Sequence, residues 1–576
     1  MEDKLTTYLN KSFGSVYNVD TRKVSVKIHS EEDLNTLKIN DIVVFNGNND
    51  DEKLIGIITR VSKKLVDVED SSDDMEVMNP QISDNIAVVS LVGTFYQKYL
   101  KEKNVFRRAI NTYPEINSEV FCANHKALSI IMNSLTLKSG VDNNLKIGTF
   151  ASNKEVPAIL DGNRFFQRHA AIVGSTGSGK SFTVANILEK VKNLPYSNAI
   201  VFDLHGEYNK LSYAKHLKIG SGTDGIHIPL WFFNYEEIHS LFIESSESTS
   251  ANQRATVIEF ILKKKKEYIE HHMEGYSSEV VTADTPIPFS IKDLSEYLNH
   301  KNTEEIETGE IYSSGAKKGE AKTKQGTNYG KLTNLINRLQ TKIDDKKYSF
   351  VFTDNEFQRV EYLNEFINVL LDNKEKRVKV IDLSEVPSDI LPIIIGIVTR
   401  LINDVLFWMS PNDEETRHPI TLICDEAHIY MSKDTSKMKS VEKKSLEIFE
   451  SIAKEGRKYG IGLVIISQRP SELNNTLVSQ CNNIVSLKIT NDRDKAAVAN
   501  MLTDSLVGLV DLLPNLDVGE CIVVGDAIML PSKILLDKPD EIPRSSTIDF
   551  WDKWINNEKT VFDIDDAIKN MINQFR

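Results

Sequence analysis

The stretch GSTGSGKS, residues 174–181, decides the fold of this chain because it matches the pattern G-x-x-x-x-G-K-[ST] in full. It follows the apolar run AAIV and precedes FTVANILEKV, whose apolar residues recur with a helical period. A strand, a glycine-rich loop and a helix in this order bind phosphate, because backbone N–H groups at the helix N-terminus point at the anion. The pattern predicts a nucleotide site, rather than a chance glycine turn, formed by Gly174, Ser175, Thr176, Gly177, Ser178, Gly179, Lys180, Ser181 and Phe182.

Two residues of this loop carry side-chain chemistry. Lys180 is predicted to contact the β- and γ-phosphates of ATP, and the Ser181 hydroxyl is predicted to be a ligand of Mg²⁺. The predicted cofactors are therefore ATP and Mg²⁺.

A pair of acidic residues follows another apolar run, in LICDEAHIYM at residues 422–431. Asp425 stands at the tip of the predicted strand, where it would organise Mg²⁺ through water. Glu426 would polarise the attacking water as a general base, since hydrolysis needs a positioned proton acceptor. Two acids at a strand end could form an ordinary surface turn, but beside a phosphate-binding loop a catalytic role is favoured.

Further polar residues end neighbouring strands. Gln468 follows GLVIIS and would sense the γ-phosphate or orient the water. The segment DLHGEY, residues 203–208, places Asp203 and Glu207 at the sheet edge where ligands bind in open α/β folds. Either acid could instead serve only to form the turn.

The fold class follows from the alternation of apolar runs with helical stretches after about residue 165. The runs HAAIVG, NAIVFDL, RVKVIDLS, ITLICDEA, GLVIISQ, NNIVSLKI and GECIVVG read as strands of a parallel sheet that is covered on both faces. We predict an α/β protein with a RecA-like P-loop core and a mainly parallel sheet. The core is assigned to residues 151–234 and 376–540.

Three other regions flank or interrupt this core. Short β-branched runs predict an N-terminal β-barrel over residues 1–150, which we interpret as a docking or assembly module. Residues 235–375 read as a mostly helical insertion, with a polar flexible loop at 301–331 and a solvated lysine run at 263–266. Residues 541–576 read as an amphipathic helical tail.

Composition narrows the class of protein. The net charge of −14 means that any DNA contact must be local. The longest apolar run is broken by Pro392, Gly396 and Arg400, so we predict no membrane span. The N-terminus lacks the pattern of a signal peptide, and the four cysteines form no CxxC motif, so we expect reduced thiols and a cytoplasmic location.

The letters DEAH at residues 425–428 also occur in DEAH-box helicases, which carry two tandem RecA-like domains. This chain has one phosphate-binding loop and one acidic strand end, and residues 427–576 are needed to complete the first sheet. An arginine that stabilises the transition state must therefore come from a neighbouring subunit of a ring. Arg457 in AKEGRKYG and Arg168 in FQRHAAIVG are the candidates, although either could be a surface charge.

As a set, RHAAIVGSTGSGKS, FDLHGEY, ICDEAH, AKEGRKYG and ISQRPSELN resemble the HerA family, of the HerA–FtsK group, over about residues 1–540. The N-terminal segment is similar to that family's barrel. The resemblance implies a hexamer that uses ATP and Mg²⁺ to move double-stranded DNA through a central channel. It carries over the roles of the nucleotide site to Lys180, Ser181, Asp425, Glu426 and Gln468, and those of inter-subunit arginines to Arg168 and Arg457.

The same resemblance implies a partner effector. In this family the partner is a NurA-like or other nuclease, or in bacterial relatives a sirtuin-like NAD-consuming protein, in defence against phage. The lysine-rich segment at 431–444 would then place Lys433, Lys437 and Lys439 near DNA phosphates. A solvated loop is the alternative.

Three functions remain open from the sequence. The first is an ATP-driven DNA translocase or helicase. The second is an ATP-regulated hexameric scaffold that assembles and activates an effector with little DNA pumping. The third, protein unfolding by a AAA+ ring, is disfavoured because no small helical lid domain is evident after the core.

Overall fold

The computed structural model describes the chain apart from residues 1–4, 22, 40, 50, 67–81, 100–101, 137–143, 152, 221–224, 245, 314–317, 353–355, 373, 410–418, 437, 503, 529, 545–549, 556–563 and 574–576. The chain forms two compact units. Unit 1 comprises Met1–Asn193 and Gly462–Ile542, and unit 2 comprises Leu194–Ile461 and Pro543–Arg576.

The strands are β1 (Leu9–Val19), β2 (Lys23–Ile28), β3 (Ile42–Asn46), β4 (Glu52–Val66), β5 (Ile82–Tyr99), β6 (Glu102–Arg107), β7 (Glu119–Ala123), β8 (Asn144–Phe150), β9 (Asn153–Asp161), β10 (Ala170–Val173), β11 (Ala199–Asp203), β12 (Ala214–Lys218), β13 (Glu305–Ile311), β14 (Ala321–Gln325), β15 (Val378–Asp382), β16 (Ile420–Cys424), β17 (Ile461–Ser467), β18 (Asn483–Ser486), β19 (Glu520–Gly525) and β20 (Ser532–Leu536). All seven predicted core strands are present, as β10, β11 and β15 to β19, but β19 is antiparallel to both of its neighbours and not part of a parallel arrangement as predicted.

The α-helices are α1 (Glu31–Thr36), α2 (His125–Thr136), α3 (Gly162–Gln167), α4 (Lys180–Val191), α5 (Tyr235–Phe242), α6 (Ser250–His272), α7 (Ile291–Thr303), α8 (Thr333–Asp344), α9 (Ser349–Phe352), α10 (Val360–Leu371), α11 (Leu391–Trp408), α12 (Ser440–Glu455), α13 (Asn475–Gln480), α14 (Asp492–Met501), α15 (Phe550–Ile555) and α16 (Ile564–Asn573). Short 3-10 helices occur at Leu5–Tyr8, Leu230–Phe232, Ser278–Val280, Lys346–Tyr348, Ala427–Ile429, Gly456–Tyr459, Pro470–Glu472 and Asp504–Asn515.

The predicted N-terminal β-barrel is confirmed in unit 1. Six strands pair in the order β2-β1-β7-β3-β4-β5, and β5 returns to β2, so the sheet closes; β6 pairs on β5. Strands β4 and β5 are 15 and 18 residues long, longer than the short strands predicted. Register shifts between them, as at Ile58/Arg60, let such long strands curve. The interior is apolar, with Val16, Phe45 and Val89 fully buried.

The second sheet of unit 1 positions the nucleotide loop. Its strands follow the order β17-β10-β18-β19-β20-β8-β9. Strand β10 is parallel to β17 and β18, and the pairs from β18 to β9 are antiparallel, so the sheet is mixed. Strand β8 pairs with β20 and β9, so the residues 144–150 that were assigned to the barrel from sequence lie in this sheet.

Unit 2 contains the parallel strands β12-β15-β11-β16. Strands β11 and β15 are buried along their whole length, which their unbroken apolar runs require. Helix α11 has the length and hydropathy of a membrane span, but 67% of it is buried inside the protein. Because most of it is buried, α11 is a core helix. The helix is longer than the apolar run that Pro392, Gly396 and Arg400 interrupt in the sequence.

The helical insertion in unit 2 contains α5 to α10 and corrects two predictions. The segment 301–331 was expected to be a flexible loop, but β13 and β14 form an antiparallel hairpin within it. Alternating glutamates and lysines can pair across such a hairpin, as the Lys322–Glu310 ion pair at 3.0 Å shows. The lysine run 263–266 was predicted to be a solvated helix face rather than a DNA site, but Lys265 within it is fully buried.

The chain's tail contains α15 and α16, which expose Phe550, Trp551 and Trp554 on the first helix and Ile564 and Met571 on the second. All four cysteines are free thiols.

Candidate functional site

The nucleotide loop of unit 1 connects β10 to α4. Gly179 precedes the helix with φ 103°, a left-handed conformation that a side chain would strain, and no side chain caps the helix there. The first N–H groups of an α-helix lack partners within the helix, and the helix dipole favours negative charge at this end. The loop therefore presents a helix N-terminus that is open to an anion.

Polar atoms of the loop fit a phosphate group. The Lys180 ammonium donates to the carbonyl oxygens of Gly174 at 3.0 Å and Ser175 at 3.2 Å, so it is held at the loop. The Ser178 hydroxyl is buried and has no hydrogen-bond partner among the described residues. A buried hydroxyl without a partner is costly unless a ligand satisfies it, which is consistent with bound phosphate oxygens.

Gln468 lies beside this loop. Strands β10 and β17 are parallel and in register, with Val173 opposite Ser467, so the residues that follow both strands lie at the same edge. The Thr176 hydroxyl donates a hydrogen bond to Oε1 of Gln468. The structure therefore links the glutamine to the nucleotide loop, and Thr176 is the partner that strand-end reasoning alone did not identify.

In unit 2, Asp425 and Glu426 follow β16 and are 5% and 4% exposed. Burial, followed by the nearby carboxylates of Glu426, Glu207 and Asp203, raises the pKa of Asp425 well above its usual range. A divalent cation would offset this concentration of negative charge. The backbone N–H of Glu426 donates to Oδ1 of Asp425 at 2.9 Å, and the Tyr430 hydroxyl donates to the Asp425 carbonyl at 3.0 Å. The acidic strand end is thus rigidly held.

Glu426 has an unusual backbone and a partner that was missed from the sequence. Its φ and ψ are 42° and 43°, a left-handed conformation that non-glycine residues seldom adopt and that is enriched at functional sites. Nδ1 of His428 lies 3.3 Å from its Oε2 atom. The signal for His428 was present in the letters DEAH, but the pattern alone does not show that the histidine turns back toward the glutamate.

Asp203 has a structural role. Its carboxylate accepts hydrogen bonds from the backbone N–H groups of His205 at 3.3 Å, Glu207 at 3.0 Å and Tyr208 at 3.0 Å. It therefore forms the turn after β11, which was one of the two roles that its position allowed.

Arg457 lies at the opposite end of β16 from Asp425 and Glu426. It is exposed on the 3-10 helix Gly456–Tyr459, and the carbonyl of Gly460 accepts from the N–H of Ile420, the first residue of β16. Asp425 follows the last residue of the same strand. At about 3.3 Å per residue, the five residues of β16 separate the two ends by about 16 Å.

Arg168 has the same relation to the nucleotide loop. It precedes β10, and its carbonyl accepts from the N–H of Asn482, which precedes β18. The loop follows the other end of β10, so the four residues of the strand separate them by about 13 Å. Each candidate arginine therefore lies at the opposite end of a strand from the catalytic groups of its own unit.

The remaining predicted residues are placed as follows. Ser181 lies in the first turn of α4, where its hydroxyl could ligate a cation bound to phosphate. Lys433 and Lys439 are exposed, and Lys437 lies outside the described residues. The described residues hold no group of three or more His, Cys, Asp or Glu that could bind a metal by itself.

Residues 145–402 match the family model described as Helicase HerA, central domain (DUF87). The chain is 26% identical over 491 residues to the DNA double-strand break repair helicase HerA of Saccharolobus solfataricus, with 85% of this chain and 86% of that protein covered. It is 26% identical over 420 residues to the probable helicase MJ1565 of Methanocaldococcus jannaschii, with 72% of each covered.

Two solved structures are also similar. VirB4 of Thermoanaerobacter pseudethanolicus has a TM-score of 0.47 and 17% identity and covers 69% of this chain and 97% of its own. The plasmid coupling protein TrwB with ADPNP has a TM-score of 0.44 and 13% identity and covers 74% and 94%. The nucleotide loop and these matches identify the chain as a P-loop ATPase that is similar to the HerA helicases.

Proposed function

We propose that this chain is a subunit of an ATP-driven ring, a hexamer by family resemblance, that moves double-stranded DNA. The proposal is supported by the HerA family match and by relatives named as helicases. The observation that supports a ring is the position of Arg168 and Arg457. Each lies at the opposite end of a strand from the catalytic groups of its own unit, which fits an arginine that acts on the nucleotide of a second copy.

In this account each residue of the site has one task. Lys180 and the N-terminus of α4 would hold the phosphates of ATP, and Ser181 and Asp425 would hold Mg²⁺, which would supply charge neutralisation at the phosphates. Glu426 accepts a proton from the attacking water, and Gln468 orients that water or senses the γ-phosphate. Arg168 and Arg457 stabilise the transition state in a neighbouring subunit, a contribution of about 10³–10⁵ in rate where it is known.

The contact with DNA must be local because the chain carries a net charge of −14. Exposed Lys433 and Lys439 stand in the segment between β16 and α12. In a ring this segment would be repeated around the channel, so a few lysines per subunit would give many phosphate contacts. Lys437 lies in the same segment and was predicted from the sequence to contact DNA phosphates, so the proposal includes it.

The ring is proposed to act with an effector, a nuclease or an NAD-consuming protein, in antiphage defence or DNA end processing in the cytoplasm. The N-terminal barrel supports this part, because it is a closed module with an apolar interior and contributes none of the proposed catalytic residues. The same observation favours a second candidate, an ATP-regulated scaffold that assembles the effector and pumps little DNA.

Steady-state ATP hydrolysis with and without linear double-stranded DNA separates the two candidates. A translocase is expected to turn over ATP at least several-fold faster with DNA, with Glu426→Gln as the blank. Turnover that DNA does not change would argue for the scaffold. A variant with Lys433 and Lys439 both changed to Ala should weaken the stimulation but leave the rate without DNA unaltered.

A further inference from the structure

One carboxylate of unit 1 binds two arginines from different parts of the chain. Asp526 lies in the turn between β19 and β20. Its Oδ1 accepts from Nη1 of Arg108 at 3.0 Å, and its Oδ2 accepts from Nη1 of Arg168. Arg168 precedes the nucleotide-loop strand, whereas Arg108 follows β6 directly and therefore belongs to the barrel.

The backbone fixes this carboxylate in place. Gly525 has φ 133°, and a Cβ there would meet the carbonyl oxygen of Asn482 at 2.2 Å, so only glycine fits. The N–H of Asp526 donates to the Asn482 carbonyl at 3.2 Å, and the N–H of Asn482 donates to the Arg168 carbonyl at 3.0 Å. Asp526 is thus joined to Arg168 through both its side chain and its backbone.

The second arginine connects the barrel to the same turn. Nη2 of Arg108 donates to the carbonyl oxygen of Ile528 at 2.9 Å and also to that of Gly525. The Arg108 side chain therefore forms hydrogen bonds with backbone carbonyls on both sides of Asp526. Because both guanidinium groups share one carboxylate, a movement of Arg108 changes the charge that Arg168 experiences.

The pairing at this turn keeps Asp526 ionised and leaves the side chain of Arg168 partly exposed. Arg164 also approaches, with its Nη1 3.4 Å from the backbone carbonyl oxygen of Asp526, but its carboxylate partner is Asp161, 3.4 Å from its Nε. Burial acts to raise the pKa of Asp526, but Arg168 and Arg108 outweigh it and hold that pKa below its usual range. The carboxylate therefore remains charged. The side chain of Arg168 is 46% exposed, so another molecule could contact it.

We infer that Asp526 is a positioning residue for Arg168 and that Arg108 makes this positioning depend on the barrel. The inference rests on the proposed role of Arg168 at a neighbouring subunit's nucleotide. In the assembled ring Asp526 would restrict the rotamers of Arg168 through the bond to its Nη1 atom. A partner that docks on the barrel and displaces Arg108 would then alter ATP turnover without touching the nucleotide site.

The test is a double-mutant cycle in the full chain, with kcat and KM for ATP measured alongside oligomeric state by light scattering. Asp526→Asn is expected to lower kcat at least tenfold with KM and assembly unchanged, and Asp526→Glu should recover most of the loss. In the Arg168→Ala background, Asp526→Asn should cause no further loss. Arg108→Ala should reduce kcat by a smaller factor that disappears when Asp526 is also changed.

The Glu520–Lys533 ion pair, at 2.8 Å on the same β19–β20 hairpin, provides the matched control. Lys533→Ala should leave kcat unaltered. If Arg168→Ala reduces kcat but Asp526→Asn does not, the positioning role is wrong and the proposed function stands. The same holds if Asp526→Asn lowers kcat by the same factor in the wild type and in the Arg168→Ala background. If Arg168→Ala itself has no effect, the trans-acting role fails and the inference fails with it. If Asp526→Asn does not fold, the kcat values of Asp526→Glu and Arg108→Ala test the positioning role instead.

Discussion

Nδ1 of His428 lies 3.3 Å from Oε2 of Glu426, and the two side chains are 16% and 5% exposed. The contact joins the residue proposed as general base to the next turn of the chain, the 3-10 helix Ala427–Ile429. A general base must hold its carboxylate within hydrogen-bond reach of the water it activates. We expect this contact with His428 to restrict the rotamers of Glu426, so the histidine should act on the rate of hydrolysis rather than on nucleotide binding.

Changing His428 to Ala should therefore lower kcat for ATP about tenfold and leave KM nearly unchanged, because a misoriented base weakens only the chemical step. Steady-state kinetics measure both constants. His300→Ala, at an exposed histidine on α7, is the control. An unchanged kcat in His428→Ala would show that Glu426 is oriented by other contacts.

Glu426→Gln should lower turnover about 10²–10⁴-fold, the usual contribution of a general base, while ATP binding and assembly are retained. The amide keeps the size of the side chain and removes only the basic group. Filter binding with labelled ATP should show nucleotide that remains unhydrolysed. Glu447→Gln, an exposed glutamate on α12, should hydrolyse ATP normally. Wild-type turnover in Glu426→Gln would require another base.

The buried ion pair between Arg400 of α11 and Glu237 of α5 should be essential for the stability of unit 2. Two guanidinium nitrogens reach the carboxylate at 3.0 Å and 2.9 Å, and one of them also donates to the Phe232 carbonyl at 2.7 Å. Arg400→Met leaves the buried carboxylate without its partner, so it should destabilise the protein by about 3–5 kcal/mol. Thermal and denaturant unfolding measure the loss.

The exposed Arg359–Glu365 pair supplies the comparison, since ion pairs in solvent contribute little to stability. Arg359→Met should leave the unfolding midpoint unaltered. Equal effects of Arg359→Met and Arg400→Met would contradict the importance assigned to burial.

Lys265 should make stability depend on pH. Burial lowers the pKa of its ammonium from 10.5 to about 7, and its Nζ donates to the carbonyls of Ala283 at 2.5 Å and Thr285 at 2.6 Å. Between these two pKa values the unfolded chain holds a proton that the folded chain releases. The contribution of Lys265 to the free energy of unfolding is therefore fully present above pH 10.5. It is lost as the pH falls toward 7, by up to about 1.4 kcal/mol per pH unit.

Melting temperatures of the wild type and Lys265→Met at pH 7, 8 and 9 measure this effect. The difference between them should shift in favour of the wild type as the pH rises. Lys263→Met, at a lysine that is 67% exposed, should give a difference that does not vary with pH. Parallel curves for the wild type and Lys265→Met would show that Lys265 keeps its proton in the folded protein.

The sequence was sufficient for features that depend on local pattern. The nucleotide loop from Gly174 to Ser181 was predicted because glycines, a lysine and a helix must follow one another in fixed order. The core strands were predicted because strands that are buried on both faces need unbroken apolar runs, and the structure confirms them. The assignments of Glu426 and Gln468 as catalytic residues remain predictions.

What could not be predicted depends on tertiary contacts. Nothing in the run KKKK shows that Lys265, unlike Lys263, faces two backbone carbonyls contributed by residues 283 and 285. The hairpin of β13 and β14 was missed because its polar residues resemble a loop until they pair across strands. The link from Arg108 to Asp526 joins residues more than 400 positions apart, and no local pattern records it.

The central claim, that ATP hydrolysis drives movement along double-stranded DNA, is tested most directly by displacement of a fluorescent triplex-forming strand from a linear duplex. The account predicts ATP-dependent displacement by the wild type and none by Glu426→Gln or by the wild type without Mg²⁺. Rapid ATP turnover in the presence of the duplex with the third strand left in place would contradict it.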